Sequence, residues 1–200
     1  MSDALSNWQW LVPLPRRDDA VVLASSGAAT ALSVTEGFAR TRSFDPCEPA
    51  DAGAFEATWG AQCPDGSLDC VVLPDACAVL PCWSDPPRLV AAVRRALRPG
   101  AGWYVVAEAI RPDGAGRHRG LRRSRHLALV RAAGFPEVRT YYLVHSPEQP
   151  RHIVPIEPQA LLAWDRTIDS GGVQGTLRRA LIRAGLHGLL FRYRLILARA

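Results

Sequence analysis

Two kinds of apolar pattern alternate along this 200-residue chain. Short apolar runs of the kind that fill buried strands occupy residues 20–24, 70–73, 102–110 and 137–145, and the closing stretch 191–200. Residues 40–46 form a more polar strand pattern ended by Pro46. Between these runs the period lengthens. Leu89, Val90, Val93 and Leu97 fall at helical spacing with arginines opposite, and Pro99-Gly100 marks the stop. Residues 125–135 predict a helix closed by Gly134. Shorter helical patterns occur at 29–39, with Gly37 as a stop signal, at 47–62, and at 157–168 and 174–187. Strands alternating with helices predict an α/β domain with a mainly parallel sheet. The chain reads as one domain, residues 1–200, without an internal repeat. Residues 1–19 form an N-terminal arm whose Trp8, Trp10 and Leu11 cap the core. Residues 145–188, entered through the Pro-rich loop 147–158, form a helical segment inserted before the last strand.

Composition narrows the class. An apolar share of 48% with 22% charged residues is that of a globular protein. No run of eighteen apolar residues exists, so no membrane span is expected. The N-terminal stretch lacks a basic region before its apolar residues and a small-residue cleavage site, which predicts a cytoplasmic protein, where disulfides are not expected. Cys47, Cys63, Cys70, Cys77 and Cys82 form no CxxC pair and sit away from histidines, so buried free thiols are expected and no metal. The net charge is +5, and every basic residue is arginine, which fits a GC-rich bacterial coding bias. The arginines at 117, 119, 122, 123 and 125, beside His118 and His126, carry no interleaved aromatics. They read as a solvated loop and helix face, and nucleic-acid binding is not expected.

In an open α/β sheet, ligands bind beyond the carboxyl ends of the strands. The first strand ends at "ASSGAA", the second at Asp45, and the run 70–73 at "LPDACAV". Gly27 precedes Asp45 by eighteen residues, near the spacing at which nucleotide-binding α/β domains place a small-residue turn and then a ribose-binding acid. The turn lets backbone approach the ligand and aims a helix N-terminus at it. An Asp before a Pro is also a common strand-ending turn, and Asp45 fits that role too.

The order "PDGSLDCVVL", "RLVAAVRRALRPGAGWYVVAE", "LALVRAAGFPEVRTYYLV" resembles the class I S-adenosylmethionine-dependent methyltransferases, in the branch with ubiquinone-biosynthesis and small-molecule enzymes. The resemblance covers roughly residues 20–144, and the final strand pattern suits it; Leu97-Arg98-Pro99-Gly100 is its most specific piece. It implies a Rossmann-like, seven-stranded, mostly parallel sheet with helices on both faces and inserted helices before the last strand. It also implies S-adenosylmethionine as cofactor. The cofactor-binding residues it implies are Ser25, Gly27 and Ala29 in the glycine-rich turn, and Asp45 at the ribose. Gln62 stands where the family has an acid after its third strand, and Pro74 follows the fourth strand. Only Gly27 of the family's three turn glycines is present, and Leu23 or Ala24 stands where an acid is usual.

Transfer of the sulfonium methyl is an in-line displacement, in which a protein aligns the reactants and removes a proton where needed. Candidate bases on the acceptor side are His145 and His152, with Asp75 and Tyr142 behind them; each is also an ordinary turn or core residue, and no catalytic residue is assigned. Two functions follow. One is a methyltransferase for a small molecule or peptide-derived metabolite. The other is a non-catalytic subunit of the same fold that binds or scaffolds a protein partner in a biosynthetic complex.

Overall fold

A computed structural model describes residues 14–24, 37–49, 51–74, 76, 85–108, 123–145, 150–168 and 172–200. In chain order these form β1 (Asp19–Leu23), β2 (Arg40–Phe44), α1 (Ala52–Gln62), β3 (Leu68–Leu73), α2 (Pro86–Ala96) and β4 (Leu97–Glu108). There follow α3 (Arg123–Ala132), β5 (Glu137–His145), β6 (Pro150–Pro155), α4 (Pro158–Thr167), α5 (Gly172–Arg183), a 3₁₀ turn (His187–Leu189) and β7 (Tyr193–Arg199).

The strands make one seven-stranded sheet in the order β2-β1-β3-β4-β7-β5-β6. The pairs β1–β2, β1–β3 and β3–β4 are parallel, while β7 runs antiparallel between β4 and β5, and β6 is antiparallel to β5. Five strands therefore share one direction, and β6 and β7 oppose it. The seven expected strands are reached by another route. Among the described residues no strand lies between β2 and β3; that stretch is α1, capped by Asp51, whose side chain accepts from the Ala54 amide at 2.8 Å. The seventh strand is β6, inside what the sequence presented as a Pro-rich loop. Its prolines are tolerated because β6 is an edge strand, paired on one side only.

The predicted helix over 86–96 forms, but it stops at Ala96, and Leu97-Arg98-Pro99-Gly100 already belongs to β4. Gly100 takes φ +80°, a conformation suited to glycine, and its amide donates to the Ala200 carbonyl at 2.7 Å. Leu89, Val90, Ala92, Val93 and Ala96 of α2 are buried against the sheet as the spacing predicts.

Alternation along the strands sorts the core into two faces. Val21, Leu23, Val71, Leu73, Trp103, Val105 and Ile196 pack under α1, α2 and α3. On the same face, Tyr142 of β5 and Val154 of β6 pack with Leu161 of α4 and Ile182 of α5. On the opposite face, Val22, Cys70, Val72, Tyr104, Tyr141 and Leu195 pack with Leu14 and Phe38. The helix expected over 29–39, and Trp8, Trp10 and Leu11 of the arm, lie outside the described residues.

Candidate functional site

The carboxyl ends of the strands meet along one edge. At β1, Leu23 and Ala24 are buried, and the Ala24 amide donates to the Phe44 carbonyl at 3.1 Å. That bond sets the exit of β1 directly beside Asp45, the residue that follows β2. Phe44 is anchored in the core by edge-on contacts with Phe55 and Trp59, at 5.5 and 5.3 Å between ring centroids. Asp45 itself is half-buried, and its Oδ1 accepts from the Cys47 amide at 2.8 Å. This is the strand-ending turn that an Asp-Pro pair favours. It fixes the carboxylate at the sheet edge.

Pro74 is half-buried at the end of β3, and the next described residue, Ala76, is fully buried. Alignment of Val22 with Val72 and of Leu23 with Phe44 brings Ala24, Asp45 and Pro74 to the ends of three neighbouring parallel strands. Ser25, Gly27, Ala29 and Asp75 lie outside the described residues. Gln62 is placed elsewhere. It is the exposed last residue of α1, and its carbonyl accepts from Arg42 Nη1 at 2.7 Å. The neighbouring Cys63 thiol, pushed up by burial, also feels the charges of Arg42 and of Asp19 at the start of β1. Gln62 thus sits toward the amino end of the sheet because a helix replaces the strand whose end it was expected to mark.

The candidate bases His145, His152 and Tyr142 lie on the paired strands β5 and β6, and no hydrogen bond joins them. His145 ends β5 at φ 95°, where a bulge shifts the register, and it is exposed. His152 lies in β6, not in a loop, and is exposed on this edge strand, with its ring 6.3 Å from that of Trp164. Tyr142 is fully buried, stacks on Phe191 at 4.3 Å, and shares a 2.8 Å hydrogen bond with His187 Nδ1. His187 and Arg194, whose guanidinium carbon lies 5.3 Å from the Tyr142 ring centroid, escaped the sequence reading. Neither carries a motif, and only the return of β7 beside β5 brings them to Tyr142.

At the opposite edge lies a structural ion cluster. Asp69 Oδ2 accepts from the amides of Asp18 and Asp19 at 2.8 and 3.1 Å, and its Oδ1 from Arg98 Nη1 at 2.5 Å. Burial alone pushes this carboxyl up, but the Arg98 bond and the two amides outweigh it and hold it below its ordinary value. None of Cys47, Cys63 and Cys70 is in a disulfide, and the Cys70 thiol is pushed far up by burial. Among the described residues no group of three or more His, Cys, Asp or Glu could hold a metal, and no helix is long and apolar enough to cross a membrane.

No protein-family model and no curated protein matches the chain. Solved structures do. An S-adenosylmethionine-dependent methyltransferase from Archaeoglobus fulgidus superposes with a TM-score of 0.51 at 17% identity, over 94% of this chain and 87% of that one. The chain has the class I methyltransferase fold. A phosphoethanolamine N-methyltransferase 2 from Haemonchus contortus, in complex with phosphomonomethylethanolamine and S-adenosylhomocysteine, matches at a TM-score of 0.47 and 13% identity. That match covers 98% of this chain, which spans about half (52%) of the other. The [4+2]-cyclase SpnF matches at a TM-score of 0.47 and 19% identity, over 96% of this chain and 77% of that one.

The described part of the edge fits a nucleoside-bearing ligand in two respects. Ala24 offers no bulk at the exit of β1, and Asp45 offers a fixed carboxylate beside it to accept from ribose hydroxyls.

Proposed function

We propose that the protein is an S-adenosylmethionine-dependent methyltransferase acting on a small molecule or a peptide-derived metabolite. The observation that carries this reading is the Ala24–Phe44 bond, which sets the end of β1 against the carboxylate of Asp45 in a sheet of this fold. Asp45 would hold the ribose, with Ser25, Gly27 and Ala29 forming the turn beneath the ligand and Pro74 bordering it. The cofactor, when bound, supplies an electrophilic methyl group. The chain's part is to orient an acceptor toward the strand ends and to exclude water there.

A non-catalytic subunit of the same fold is the second reading. It is favoured by the absence of a hydrogen bond among His145, His152 and Tyr142, whose hydroxyl is taken by His187, and by the engagement of Asp45 in its own turn.

Equilibrium titration with S-adenosylmethionine and S-adenosylhomocysteine separates the two. The methyltransferase reading predicts saturable binding of both, weakened about tenfold or more in Asp45→Ala, because a charged hydrogen bond contributes roughly 1.5–3 kcal/mol. No binding and no thermal stabilisation at millimolar ligand would exclude it.

A further inference from the structure

The large apolar side chains exposed among the described residues are Val173, Leu177, Leu186 and Leu189, at 86, 60, 52 and 78%. All four fall in the eighteen residues that span α5 and the 3₁₀ turn. The helix sits with its polarity inverted. Only Gly175 and Ile182 are buried, while Arg178 and Arg179 turn inward onto the fully buried Asp165 of α4. Val173, Leu177, Ala180 and Ala184 then form one ridge on the solvent side, at spacings of four, three and four residues, all exposed. A contiguous apolar ridge of this kind marks an interaction surface.

We propose that this ridge is the contact face of a two-fold dimer, occupied by α5 of a second copy of the chain. The spacing reads the same in both directions. Antiparallel pairing therefore sets Leu177 against Ala180 of the second copy, and Val173 against its Ala184. Each large side chain meets a small one, so the two helices approach closely without leaving a void. No acid occurs from residue 170 to the C-terminus, but the charges do not oppose the pairing. Arg178 and Arg179 turn away from the ridge onto Asp165, which offsets one of their two charges. The exposed Arg183 lies level with Gln174 of the second copy. It is nine residues, about 14 Å of helix, from its own mate, farther than the ~8 Å over which charges act at physiological salt. The ridge carries no aromatic side chain to anchor it at a lipid headgroup, which favours a helix over a membrane as occupant. One helix and the adjoining Leu186 and Leu189 give a small interface, under about 1,200 Å² in total, so the dimer is concentration-dependent.

Sedimentation equilibrium of the full chain from micromolar to millimolar concentration tests this. Wild type is expected to move from monomer to dimer mass. Leu177→Glu should weaken dimerisation about tenfold or more with an unchanged melting temperature, because it sets a charge on the apolar contact line. Ala180→Leu should weaken it as well, by placing bulk where Leu177 of the second copy must fit; an unspecific sticky patch would instead associate more tightly. Should Leu177→Glu fail to fold, Val173→Glu, at a more exposed position, reads the same quantity. A wild-type chain that stays monomeric, a dimer indifferent to these changes, or a monomer that binds phosphatidylglycerol vesicles through the ridge would each overturn the proposal.

Discussion

His126 makes the folded state sensitive to mild acid. It lies in the second turn of α3, is only 2% exposed, and both ring nitrogens are buried with no hydrogen-bond partner among the described residues. Removal from water disfavours the charged ring and pulls its pKa from an ordinary 6.5 down to about 4. Between those values the unfolded chain binds a proton at this site and the folded chain does not. The stabilising contribution is thus complete above pH 6.5 and is lost as pH falls toward 4. At 1.36 kcal/mol per pH unit, the full loss approaches about 3 kcal/mol, and about 2 kcal/mol is gone by roughly pH 5. With a urea dependence of about 2 kcal/mol/M for a chain of this size, that is a midpoint shift of about 1 M. Urea unfolding of wild type and His126→Leu, at neutral pH and near pH 5, should show wild type losing about 2 kcal/mol more than the variant. Parallel pH dependence of the two proteins, or an NMR titration of His126 near its ordinary value, would refute the reasoning.

Asp69→Ala should cost about 3–5 kcal/mol in urea unfolding, because it leaves Arg98 and two backbone amides without their buried acceptor. Asp69 is held below its ordinary 3.8, so the stability it adds is present above that pH and disappears as pH falls through the folded value; the variant should lack that acid-dependent part. Gly102→Ala should cost about 1–3 kcal/mol, since a Cβ there would stand 2.9 Å from Cε2 of the buried Tyr104 ring; an unchanged melting curve would show that the ring yields freely. Asp165→Ala should destabilise by about 3–5 kcal/mol by stranding Arg178 and Arg179 between α4 and α5, and a loss under about 1 kcal/mol would remove that cluster from the account.

Much of the sheet was legible because its strands are buried and its α2 helix keeps a clean period. Leu89, Val90 and Val93 point to the core as their spacing requires. Two features misled. Prolines at both ends of β6 mask an edge strand, where the missing amides cost nothing on the unpaired side. The motif Leu97-Arg98-Pro99-Gly100 looks like a helix stop but is already strand, held by a bond from Gly100 to the chain end, a contact a hundred residues away. At the candidate site, the local turn at Asp45 was readable from Asp-Pro itself. Gln62 ends the helix that the pattern over 47–62 predicts, whereas the family resemblance set it after a strand. His126 was read with its arginine-rich neighbours as a solvated face, and tertiary packing buries it. Arg178 and Arg179 carry no motif that marks them as inward; the buried Asp165, thirteen and fourteen residues earlier, draws them there.

Under the proposed function a nucleoside-bearing cofactor binds where β1, β2 and β3 end. Amide chemical-shift mapping during titration with S-adenosylhomocysteine tests it by location as well as by affinity. The largest shifts are expected at Ala24, Phe44, Asp45 and Leu73, with the amino-edge residues Asp19, Asp69 and Arg98 unmoved. Absence of saturable shifts at millimolar ligand, or shifts centred away from Ala24 and Asp45, would contradict the account.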